Sequence, residues 1–143
     1  MSDGHAFSAA NFIALGCWVL LIAFPRRAWA SRIAGTVIPA AFAVLYTIVI
    51  ALNFFGSRGG FSSLADVALL FDNPWLLLAG WLHYLTFDLL IGSWEVRDAR
   101  RRGISHMLVI PCLLLTFMFG PAGWLLYLSV RSRVPDAARH SER

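Results

Sequence analysis

Lysine is absent from this chain of 143 residues, and charge of either sign is scarce. Only 14% of the residues are charged, against about a quarter in an ordinary soluble domain. Every strong cation is therefore an arginine, whose guanidinium stays charged in any protein setting. Cysteine is nearly absent too. Cys17 and Cys112 lie inside apolar runs without CxxC spacing, which argues against a disulfide or redox pair and for two buried thiols. No basic stretch precedes the first apolar run and there is no long leader rich in Arg and Ser, so that run is expected to be retained. No P-loop, dinucleotide fingerprint or Ser-His-Asp arrangement is found.

What the chain does contain is hydrocarbon. Hydrophobic residues make up 59% of it, mean hydropathy is +0.68, and the charges cluster between long apolar runs. That distribution predicts a membrane protein rather than a dense soluble core. A net charge of +4 and a pI near 9.8 invite a nucleic-acid reading. It is rejected because the arginines sit beside the apolar spans, where they orient helices. Membrane lipids are the expected partners.

The fold class read from these runs is all-α: one transmembrane domain of four spans, about 7–24, 33–55, 74–94 and 106–130, then a disordered tail over 134–143. Each span is near the ~20 residues that cover ~30 Å of hydrocarbon. Between spans two and three, Ser63-Leu64-Ala65-Asp66 has a capping-box pattern, and Phe61, Leu64, Val67, Ala68 and Phe71 recur at helical spacing. This predicts a short interfacial helix. The second loop carries only Arg58, whereas Arg26, Arg27 and Arg32 occupy the first loop, and Arg97 and Arg100–Arg102 the third. Loops one and three are thus expected in the cytoplasm and both termini outside. The helix of span three is expected to continue into the third loop as far as a cap at Gly103, and Ser105 to cap span four. Cys112, Thr116 and Gly120 form a small-residue stripe that permits close packing or a homo-oligomer, and Pro111 and Pro121 are expected to kink that span.

His83 and Asp88 fall near the middle of span three, bracketed by Trp75 and Trp94. Ionisable groups at that depth are costly unless a partner or wet cavity receives them, so they are the first candidates for function. On one helix they lie about 140° apart with about 7.5 Å of rise, which rules out a simple chelating pair. Tyr46 and Asn53 of span two, with Tyr84 and Asp88, are expected to form an interior polar strip. Glu95 and Asp98 share a face with His106 across the turn. These three either hold a divalent metal or belong to an ion-pair cluster with Arg97 and Arg100–Arg102.

Three stretches then carry a resemblance: Gly80-Trp81-Leu82-His83-Tyr84 through Asp88 to Gly92, Trp94-Glu95-Val96-Arg97-Asp98 through His106, and Pro111-Cys112-Leu113 through Phe119-Gly120-Pro121-Ala122-Gly123. Together they resemble the abscisic-acid-deficient-four-like family, whose plant member is needed to convert violaxanthin, an epoxide, into the allene neoxanthin. The resemblance implies a membrane-embedded isomerase-like enzyme acting on a carotenoid or related apolar lipid. His83 and Asp88 would be its acid–base residues, and Tyr46, Asn53, Tyr84 and Trp81 the contacts to an apolar substrate or pigment. The alternatives are a non-catalytic pigment, haem or lipid-binding protein, or a metal-dependent membrane enzyme using Glu95, Asp98 and His106. Ser105 stands where the family motif has proline, and without a transit segment the chain reads as a protein of the bacterial cytoplasmic membrane.

Overall fold

A bilayer core supplies no water to backbone N–H and C=O groups, so each apolar run must satisfy them within its own helix. The computed structural model describes residues 2–134, and the expected disordered tail lies almost wholly outside these. The described residues form six helices: α1 (Asp3–Ala23), α2 (Ala28–Asn53), α3 (Leu64–Phe71), α4 (Pro74–Arg102), α5 (His106–Phe119) and α6 (Pro121–Ser132). Helices α1, α2 and α4 are long and apolar enough to cross a membrane, as an integral membrane protein requires.

Helix α4 is the axis of the bundle, with α1, α2, α5 and α6 packed around it and α3 against its start. Trp18, Leu21, Phe42, Leu82, Leu89 and Leu113 are buried between them. Phe12, Val19, Val44, Ile48 and Leu52 point outward, as side chains facing hydrocarbon would. Helix α2 begins before its expected start and contains one π turn, Ile33–Val37, where it crosses α4.

The capping signal in the second loop is realised. The Ser63 hydroxyl accepts the Asp66 N–H at 3.1 Å and donates to the Asp66 carboxylate at 2.8 Å, starting α3. Gly103 ends α4 in a left-handed cap, so α5 returns alongside α4. Ser105 precedes α5 but makes no side-chain capping bond, contrary to expectation.

The fourth span is where the chain departs most from its sequence reading. The run 106–130 is interrupted at Gly120, whose φ of 34° and ψ of −91° leave helical space, and α6 folds back along α5. Thr116 therefore meets Gly123 side by side, although in one straight helix they would stand about 10 Å apart. Helix α5 has 14 residues and α6 has 12, about 21 and 18 Å at 1.5 Å per residue, too short to cross ~30 Å. The two form a re-entrant hairpin whose tip, Gly120-Pro121, reaches the middle of α4 beside Asp88. Such a break is tolerated at depth only when protein encloses it, and Gly120 is buried.

The reversal also moves the end of α6. Tyr127 and Arg131 both bond Asp98, so the end of α6 lies beside the arginine-rich end of α4, with the first and third loops. The expectation that the C-terminal side emerges opposite those loops is revised accordingly. It left Arg131 and Arg133 on the arginine-poor side, an anomaly the hairpin removes. With Cys17 and Cys112 replaced by alanine, Ser132→Cys should react with an impermeant maleimide from the same face as Ser105→Cys, and Ser57→Cys from the other. Labelling of Ser132→Cys with Ser57→Cys would contradict the re-entrant arrangement.

Candidate functional site

The polar side chains of α4 leave it in different directions, because each residue advances the helix by about 100°. His83 turns toward α2. Its ring lies 5.9 Å from that of Tyr46 and 4.6 Å from that of Phe87. Both His83 and Tyr46 line a groove of about 280 Å³ whose other walls include Phe54, Phe61, Leu70 and Phe71. The local sequence builds these walls. The Ser63 cap sets α3 so that Leu70 is buried and Phe71 lies over Gly80, while Phe54 and Phe61 stack with centroids 5.6 Å apart. His83 itself remains exposed in the groove.

Asp88 points to the opposite side, as the wheel spacing predicts. It is 9% exposed and packs against the hairpin tip, where a Cβ on Gly120 would come within 2.8 Å of its Oδ1. Its Oδ2 is buried without a hydrogen-bond partner. Tyr84 lies beside it in polar contact and also donates to the Phe117 carbonyl at 3.1 Å. Glu95, fully buried, accepts from the Thr116 hydroxyl at 3.0 Å and keeps its Oε2 unpartnered. Asp98 accepts from the Tyr127 hydroxyl at 2.8 Å and pairs with Arg131 at 2.8 Å, Arg102 at 3.1 Å and Arg101 at 3.5 Å.

The remaining candidates disperse. Asn53 donates to Val49 of its own helix and Tyr46 goes with His83, so of the expected strip of Tyr46, Asn53, Tyr84 and Asp88 only Tyr84 and Asp88 stand together. Trp81 donates to Asn11 at 3.0 Å and makes tilted ring contacts with Tyr84 and Phe7, on the α1 side. His106 donates through Nε2 to the Ile22 carbonyl at 2.8 Å, which satisfies a carbonyl left open at the end of α1. Glu95, Asp98 and His106 thus answer to three separate neighbours, and among the described residues no three His, Cys, Asp or Glu gather as a metal would require. Sequence reasoning passed over Thr116, Tyr127 and Arg131 as partners for the acids. The signals for them were the Gly120-Pro121-Ala122-Gly123 run and the arginines at 131 and 133.

This arrangement, with polar groups spaced along one central helix and a Gly-Pro tip driven against them, is carried by the same stretches that bear the family resemblance. The pattern of the ABA4-like family (ABA DEFICIENT 4-like) matches residues 5–127. The chain belongs to this family. No curated protein and no solved structure matches it. The matched region of this ABA4-like protein contains α1 to α5, the hairpin tip and most of α6, ending at Tyr127. It therefore holds both the His83 groove and the Asp88–Gly120 contact.

Proposed function

We propose that this ABA4-like protein is a membrane-embedded isomerase of a carotenoid epoxide or a related apolar lipid, with its chemistry in the groove at His83. One observation carries this reading: the imidazole of His83 and the phenol of Tyr46 stand ring to ring in an aromatic-walled groove. Its volume of about 280 Å³ is near the lower end for small-molecule pockets and suits the ring end of a long polyene. The remaining chain would lie along the lipid-facing surface.

The reaction asks for one base and one acid on neighbouring atoms. The base takes the proton of the polyene carbon next to the ring. That electron pair forms a new double bond to the ring carbon, whose epoxide C–O bond breaks, and the acid protonates the freed oxygen. One proton leaves and one arrives, so an epoxide becomes an allenic alcohol of the same formula. His83 is the base in this reading and Tyr46 the acid, and a proton passed between them resets the site. Asp88, across α4, is a positioning residue that acts through the hairpin tip.

The test is pigment analysis of violaxanthin-containing cells that express the chain. His83→Ala should lower conversion about 10²–10⁴-fold, the usual worth of a general acid or base, and Tyr46→Phe should lower it comparably, with both variants still inserted and monodisperse. If violaxanthin co-purifies but is never converted, the protein is a binder instead. Loss in Asp88→Asn with His83→Ala unaffected would move the chemistry to the hairpin side.

A further inference from the structure

At the arginine-rich end, a cleft of about 340 Å³ opens where α2 crosses α4, lined by Ser31, Arg32, Thr36, Arg97 and Arg100 among others. Three arginines line it and no acid does. Among the described residues none of Arg32, Arg97 and Arg100 has a carboxylate partner, because Asp98 is taken by Arg101, Arg102 and Arg131. Glu95 is sealed in the bundle against Thr116.

Orientation by positive charge explains arginines in a loop, but it does not explain how these are built in. Gly35 lets α2 close on α4: a Cβ there would come within 2.5 Å of the Ser93 Cβ and 2.7 Å of the Arg97 Nη1, so the tight crossing brings the guanidinium over α2. The Ser31 hydroxyl, in a residue only 5% exposed, is buried with no hydrogen-bond partner. Buried hydroxyls are seldom left unpaired. Beside three cations, an unpaired hydroxyl is a donor waiting for an anion. The π turn Ile33–Val37, which holds Thr36, lies at the same crossing, and π turns recur at functional sites.

We propose that this cleft binds a phosphate group, with Arg32, Arg97 and Arg100 supplying charge and planar donor pairs and Ser31 and Thr36 supplying hydroxyl donors. The phosphate is either the headgroup of an anionic lipid, whose chains would follow the apolar outer faces, or a free phosphate ester from the aqueous side. A second cavity of about 640 Å³, lined by Arg26, Arg100 and His106 among others, shares Arg100. It gives room for a second anionic group. This site is separate from the His83 groove and does not depend on its chemistry.

The test uses the full chain in nanodiscs of phosphatidylcholine, titrated with phosphatidylglycerol in one arm and with inorganic diphosphate in the other. The readouts are native mass spectrometry and thermal shift. Wild type should bind one of the two ligands in preference to phosphatidylcholine, and the tighter arm identifies the source. The double variant R97Q/R100Q should weaken that binding about tenfold for each guanidinium removed. Ser31→Ala, which deletes an unpartnered hydroxyl and should fold normally, should weaken it severalfold. The control R58Q/R133Q removes the same charge elsewhere and should bind as wild type does. Wild-type binding by R97Q/R100Q, no effect of Ser31→Ala, or equal loss in the control would each overturn the site.

Discussion

Gly123→Val is expected to leave little folded protein. A Cβ at residue 123 would overlap the backbone nitrogen and Cα of Thr116, and backbone cannot rotate aside as a flexible side chain can. The valine must therefore push α6 off α5. Overpacking of this kind costs about 1–3 kcal/mol by itself. Here the displacement would also draw Tyr127 and Arg131 away from Asp98. The sum is a large share of the ~5–15 kcal/mol that separates folded from unfolded states of a typical domain. In detergent, size-exclusion yield and melting temperature should both fall sharply. Gly16→Val is the matched control, because nothing lies within 4 Å of a Cβ there, and it should behave as wild type. A Gly123→Val protein that melts within a degree or two of wild type would show that α5 and α6 do not close on each other.

Asp98→Ala should be nearly as damaging, for an electrostatic reason. The Asp98 side chain is 7% exposed, yet it gathers one phenol and three guanidiniums. Arg101 is 71% exposed and adds little, as surface pairs generally do. Arg131, 34% exposed, would lose its counter-charge, Arg102, 15% exposed, would lose one of its contacts, and the Tyr127 hydroxyl would lose its acceptor. Removing one partner of a buried pair costs about 3–5 kcal/mol. The figure belongs toward the lower end, since Arg131 is a third exposed and partly solvated. Asp98→Asn keeps an acceptor for Tyr127 and should fall between wild type and Asp98→Ala. Thermal denaturation of the three proteins in one detergent ranks them. Asp98→Ala equal to wild type would mean that the α6 end is not held at α4.

Both predictions turn on the part of the fold that local reading described least well. The α3 helix was legible because Ser63 and Asp66 bond each other three residues apart, within one turn. The end of α4 was legible for the same reason, since Gly103 supplies a left-handed cap on the spot. The divergence of His83 and Asp88 followed from helical periodicity, which needs no tertiary knowledge. The Asp98–Arg102 pair was likewise readable at i,i+4 spacing. The Tyr46–Asn53–Tyr84–Asp88 strip was not, because shared faces on two separate helices do not say which faces meet. Asn53 found an acceptor in its own helix, and Tyr84 found one on α5.

The fourth span failed for a related reason. Gly120 and Pro121 mark a break, but the same dipeptide serves a mild kink or a complete reversal. The sign is decided about ten residues away, by Tyr127 and Arg131 reaching Asp98 and by Gly123 admitting Thr116. The arginines at 131 and 133 were the hint, standing on the wrong side of a four-span topology.

By itself the sequence determined a lysine-free helical membrane protein, the start of α3 and the end of α4, and a central helix bearing ionisable groups on separate faces. These follow from composition and from contacts within a turn or two. The tertiary structure decided that Tyr46 is the ring His83 meets, that Arg32, Arg97 and Arg100 line one cleft with Ser31, and that the last described helices return to the arginine-rich end. Each depends on which helix faces pack together, and that choice is made by the fit of side chains far apart in the chain.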